Sequence, residues 1–147
     1  LPFTDMQQEP EKPKAFERLP TGRERILVVD DEDDILYLSR VILENLGYDV
    51  KTATDPEKAL ELVRSDPNRF DLVITDMTMP NMHGDSLARE IFKLQPRMKI
   101  LLCTGYNEQI DEDSAKSPGI AGYLEKPVNI ETLAGCIRTV LDSKLKN

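Results

Sequence analysis

The run Phe70-Asp71-Leu72-Val73-Ile74-Thr75-Asp76-Met77-Thr78-Met79-Pro80 decides how the chain is read. Val73 and Ile74 are β-branched and Leu72 is apolar, so 72–75 reads as a short strand buried on both faces. An acid, Asp76, stands where the apolar run stops. Open α/β sheets bind their ligands at the carboxyl ends of parallel strands, so Asp76 is the candidate functional centre. Pro80, Asn81, His83 and Gly84 then take the chain off the sheet in a loop.

The same grammar repeats on either side. Upstream, Arg25–Asp30 is a continuous apolar strand that runs into acids at 30–34. Asp33 and Asp34 suit the first turn of a helix, whose face is expected at Ile35, Leu38, Val41, Ile42 and Leu46, with Gly47 as its stop. A second strand covers Asp49–Ala53. Asp55-Pro56 opens a helix with Ala59, Leu60, Leu62 and Val63 inside. Downstream of the central strand, Asp85–Leu94 is a third helix, Lys99–Thr104 a fourth strand and Gly122–Glu125 a fifth. Asn107–Ala115 is acidic and poor in apolar residues, so a short, weakly packed helix is expected there. Asn129 caps a last helix with Ile130, Leu133, Ile137, Val140 and Leu141 on one face. Five alternations of strand and helix predict a parallel, doubly wound α/β sheet with helices on both faces.

With 147 residues the chain can bury one ordinary core, and with 39% hydrophobic but only 5% aromatic residues that core is aliphatic. Leu1–Glu24 carries four prolines among charges and has no apolar period, which predicts a flexible linker or tail; 145–147 is a short C-terminal tail. A net charge of −8 argues against nucleic acid or an anionic membrane surface as a direct partner. No apolar run approaches the roughly 20 residues of a membrane span, and no signal peptide is visible, so the expected compartment is the cytoplasm. Cys103 and Cys136 lack disulfide or metal spacing and are expected as small core residues. His83, the single histidine, sits in a loop and is not expected to carry function.

Asp30 and Asp31 follow the first strand, Asp76 the third, Thr104 the fourth and Lys126 the fifth. A parallel sheet places all of these on one rim. An acid after a strand often only caps the next helix, but this joint placement asks for a common cause. Clustered carboxylates raise one another's pKa unless a cation joins them, and hard oxygen donors without a second His or a useful Cys suit Mg²⁺ (or Mn²⁺). Asp76 can then act as a nucleophile toward a phosphoryl group. Lys126 supplies a point charge, and the Thr104 hydroxyl with the N–H groups of Thr78 and Gly105 supplies neutral donors. Three acids and one lysine leave two negative charges, so the chemistry is expected to need a divalent cation.

Val28-Val29-Asp30-Asp31-Glu32, Val73 through Gly84, Leu101-Leu102-Cys103-Thr104-Gly105 and Tyr123-Leu124-Glu125-Lys126-Pro127 together resemble the response-regulator receiver domain of two-component systems. The resemblance covers about Arg23 to Lys144, places the domain at 25–144 and implies a flavodoxin-like (βα)5 fold with strand order 2-1-3-4-5. It implies that Asp76 accepts a phosphoryl group from the phosphohistidine of a histidine kinase or histidine phosphotransfer protein. Asp31, Asp76 and the main-chain carbonyl of Thr78 would ligate the metal, with Asp30 acting through a water. Lys126 would pair with Asp76 and then with the phosphate, and Lys126–Pro127 would be a cis peptide. Thr104 and Tyr123 would be a switch pair.

Two other readings stay open at this point. Asp76-Met77-Thr78 also resembles the nucleophile loop of haloacid-dehalogenase-type phosphohydrolases, although here the paired acids lie upstream, and no cap domain is present in the sequence. A pseudo-receiver, an interaction module without phosphorylation, is the other. On the receiver reading this chain is no enzyme by itself. The linker suggests a C-terminal receiver of a hybrid sensor histidine kinase, with a stand-alone regulator as the rival. Tyr106 would shield the phosphoryl group and slow its hydrolysis. No residue pattern specifies an oligomeric state.

Overall fold

Strand pairing in a computed structural model of the chain is parallel throughout, in the order 2-1-3-4-5, and the expected doubly wound sheet is the architecture found. The structure describes residues 19–105, 119–126 and 128–143. The strands are β1 (Arg25–Val29), β2 (Asp49–Ala53), β3 (Leu72–Asp76), β4 (Lys99–Thr104) and β5 (Ile120–Glu125). The helices among the described residues are α1 (Asp33–Asn45), α2 (Pro56–Ser65), α3 (Gly84–Leu94) and α4 (Ile130–Asp142). β5 begins two residues before the expected Gly122, and its pairing with β4 shifts register between Ile100 and Leu101. The expected helix at 107–115, Tyr106 and the Lys126–Pro127 peptide lie outside the described residues.

Two aliphatic layers hold the sheet, and the two-residue period of a strand assigns each side chain to one of them. Leu27, Val29, Val73, Ile100 and Leu102 face α2 and α3, meeting Ala59, Leu60, Val63, Leu87 and Ile91. Ile26, Val28, Ile74, Leu101 and Leu124 face α1 and α4, meeting Leu36, Leu43, Ala134, Ile137 and Val140. Most of these residues are fully buried, each contributing roughly 1.5–3 kcal/mol by leaving water. The helix signals act as read. Asp55 accepts the Lys58 N–H at 3.0 Å, Asn129 accepts the Thr132 N–H at 2.7 Å, and Gly47 takes φ 101° past α1.

The face expected for α1 is corrected in part. Ile42 and Leu46 lie on the core as expected, with Leu36 and Leu43 buried beside them, whereas Leu38 and Val41 are exposed beside Tyr37. Apolar residues stand on more than one side of this helix, so periodicity alone does not select the side that meets the sheet.

Composition places the end of the linker at Glu24, but its last residues lie against the domain. Leu19 packs on the layer under α1 and α4, the Gly22 N–H donates to the Leu46 carbonyl at 3.1 Å, and the Asp49 N–H donates to the Glu24 carbonyl at 3.0 Å. No described helix is long and apolar enough to cross a membrane.

Candidate functional site

Register brings the rim together. Val29 pairs with Thr75 across the sheet centre, so the next residues, Asp30 and Asp76, emerge side by side. Asp76 pairs with Cys103, which places Thr104 one step further out, and Thr104 pairs with Glu125, so Lys126 follows at the rim. The backbone keeps this order past the strand ends: the Met77 N–H donates to the Cys103 carbonyl and the Lys126 N–H to the Thr104 carbonyl, each at 2.8 Å.

Asp30, Asp31 and Asp76 each offer a carboxylate oxygen, and the three oxygens lie within 4.8 Å of one another. Asp30 and Asp76 are buried and Asp31 is exposed. The Lys126 ammonium stands 3.0 Å from Asp76 and 3.5 Å from Asp30. Asp30 also accepts the Glu32 N–H at 3.0 Å. Burial still holds the Asp30 carboxyl above the usual carboxylate range, aided by its acidic neighbours and opposed by the Glu32 N–H and Lys126. Burial works against the Lys126 charge, but the hydrogen bond to Asp76 and the two carboxylates outweigh it and raise its pKa. Three carboxylates against one ammonium leave two negative charges in a partly buried space. The donor set, all hard oxygen, therefore fits a small divalent cation.

Thr104 is buried, and its hydroxyl donates to the Leu124 carbonyl in a long 3.4 Å contact. Tyr123 is half-buried against the layer under α2 and α3. Thr78 is exposed in the loop after β3. Gly105 lines a cavity of about 500 Å³ that includes Asp30, Asp76 and Lys126 in its wall and is otherwise mostly apolar, with Ile35, Leu38, Ile42 and Leu133. His83 is an exposed N-cap of α3 whose side chain makes no capping bond. Cys103 and Cys136 are free thiols; burial pushes the Cys103 thiol up to about 12, so it stays protonated beside the acids.

Gly84 has a role that motif reading did not reach. Its N–H donates to the Met77 carbonyl at 2.7 Å, and a Cβ here would come within 2.4 Å of the Asp76 carbonyl oxygen. Only a residue without a side chain lets the start of α3 close over the Asp76 backbone. The signal present in the sequence, a glycine in a loop, has many other causes.

A sequence profile described as "Response regulator receiver domain" matches residues 26–138. The chain is 34% identical over 131 residues to the two-component response regulator ARR12 of Arabidopsis thaliana, an overlap of 89% of this chain and 22% of that protein. It is 30% identical over 124 residues to the sensor kinase CckA of Brucella abortus (strain 2308), covering 84% of this chain and 13% of that protein. It thus spans less than a quarter of the length of either relative. Among solved structures, a response regulator receiver domain protein from Clostridium thermocellum superposes with a TM-score of 0.76 at 35% identity, over 81% of this chain and 94% of that one.

Proposed function

This chain belongs to the response regulator receiver domain family, and we propose that within it Asp76 is the residue that accepts the phosphoryl group. The observation that carries this is the convergence of Asp30, Asp31 and Asp76 on one point with Lys126 3.0 Å from Asp76. A carboxylate oxygen of Asp76 attacks the phosphorus of a phosphohistidine; the new O–P bond forms as the N–P bond breaks, and the imidazole leaves with the electron pair. Lys126 already pairs with Asp76 and meets the charge that gathers on the incoming phosphoryl oxygens. The N–H groups of Thr78 and Gly105 serve as further donors. Asp31, Asp76 and the Thr78 carbonyl would hold Mg²⁺ (or Mn²⁺), and Asp30 would hold one of its waters. When bound, the cation supplies the positive charge that the rim lacks.

Thr104 provides the readout. Its hydroxyl is held by Leu124 only weakly, so a phosphoryl oxygen can compete for it. The state in which it turns to that oxygen, with Tyr123 moving in response, gains a contact that the other lacks, and this difference is what shifts a population. The phosphodonor is a histidine kinase or a histidine phosphotransfer protein in the cytoplasm. The likeness to a sensor kinase supports placing this domain in a hybrid parent whose catalytic activity lies elsewhere.

Incubation with acetyl phosphate and Mg²⁺ tests the reading. An adduct of about 80 Da, one phosphoryl group, is expected, absent with EDTA and absent in Asp76→Asn. Rapid release of inorganic phosphate would indicate a phosphohydrolase, and an unmodified chain would indicate a pseudo-receiver; either result defeats the proposal.

A further inference from the structure

The residues that lead into β1 are fastened to the last helix by a single side chain. Arg138 of α4 donates to both carboxylate oxygens of Glu24, at 2.8 and 2.9 Å, and also reaches the Thr21 carbonyl and the Tyr48 hydroxyl at 3.4 Å each. Asp142, one turn on, pairs with the same guanidinium. Both ends of the main contact are largely shielded, with Arg138 20% and Glu24 29% exposed. The segment is also fitted to the fold by shape. A Cβ at Gly22 would come within 2.4 Å of Arg138 and Tyr48, and one at Gly47 within 2.4 Å of the Gly22 carbonyl.

The other end of α4 is tied to the acidic rim. The helix starts at Ile130, shortly after Lys126, whose ammonium holds Asp76 and Asp30. Val128 and Leu133 line the same cavity as Asp30, Asp76 and Lys126, so one stiff rod has its first turn beside the site and its last turns clasped to the chain's entry.

We propose that α4 couples the acidic rim to the chain that precedes residue 19, with Arg138–Glu24 as the clasp. The proposal rests on Asp76 being the phosphoacceptor. When Lys126 changes partner from carboxylate to phosphoryl oxygen, the start of α4 shifts, and the clasp passes the shift to residues 19–24. Regulation then acts on the residues that precede 19, through the entry segment.

Hydrogen exchange on the full 147-residue chain tests this, with Mg²⁺ alone and with Mg²⁺ and beryllofluoride as the phosphoryl mimic. Loading of wild type is expected to change exchange at the Gly22 and Asp49 amides by at least about fivefold, the lower end of ordinary coupling between sites. Arg138→Gln is expected to load equally, judged by its acetyl phosphate adduct, and to lose that response. Glu24→Gln opens the same contact from the other side, leaves the Arg138–Asp142 pair in place, and is expected to behave alike. Entry-segment amides that stay unmoved in loaded wild type overturn the coupling while leaving the phosphoacceptor reading intact. So does a full response in both variants, or a response in Asp76→Asn. A wild type that takes up no phosphoryl group overturns both.

Discussion

At the scale of single residues, the site is a set of like charges held close by the sheet. Asp30 is held above the usual carboxylate range, because burial disfavours its charge and the neighbouring acids add to the effect. Asp30→Asn keeps the shape and an acceptor for the Glu32 N–H but removes one charge. In the metal-free protein this variant is expected to be more stable on the order of 1 kcal/mol, read by urea unfolding near neutral pH. The same variant is expected to bind Mg²⁺ more weakly in a titration. Lower stability in the absence of metal would show that Lys126 needs both carboxylates. Gly84 makes the complementary point about space. Gly84→Ala brings a methyl against the Asp76 carbonyl, where backbone must move. A loss of about 2 kcal/mol and slower labelling by acetyl phosphate are expected, the first by denaturant melt and the second by intact mass against time.

At the scale of elements, local signals carried much of the reading. Asp55, Pro56 and Asn129 announce their helices because capping is chemistry between near neighbours, and Asn129→Ala is expected to cost about 1 kcal/mol of thermal stability by unpairing the Thr132 N–H. The central strand was legible for a similar reason. An apolar run ended by an acid has few structural readings, and 72–76 is buried at every position. The face of α1 was legible only in part. Ile42 and Leu46 reach the core as expected, but Leu38 and Val41 recur at helical spacing as well as Leu36 and Leu43 do, and the choice between them depends on the sheet beneath. The exposed stripe is not wasted surface, since Leu38 lines the apolar cavity beside Asp76 and Lys126.

At the scale of the whole molecule, the meeting of residues 30, 31, 76 and 126 was legible because a parallel sheet fixes which ends share a rim, whereas the strand order came from the family resemblance alone. The Arg138–Glu24 clasp was not, because it joins residues 114 apart and neither stands in a motif. The clasp has a signature in pH. The guanidinium of Arg138 holds the Glu24 carboxyl down to about 2 from an ordinary value of 4.5, and it lowers Asp142 as well. A carboxyl lowered on folding stabilises the protein fully above its unfolded pKa, and that stabilisation is lost as pH falls from about 4.5 to about 2. Glu24→Gln is therefore expected to flatten the acid limb of the stability curve while leaving the neutral-pH labelling of Asp76 intact; an unchanged limb would mean that the pair is fully screened. The central claim concerns one carboxylate, and borohydride reduction tests it most directly, because it converts an acyl phosphate of aspartate to homoserine. After exposure to acetyl phosphate and Mg²⁺, peptide mapping is predicted to find homoserine at position 76 alone, and none when EDTA replaces the metal. Homoserine at 30 or 31, or an unaltered residue 76 in a fully folded sample, would contradict the account.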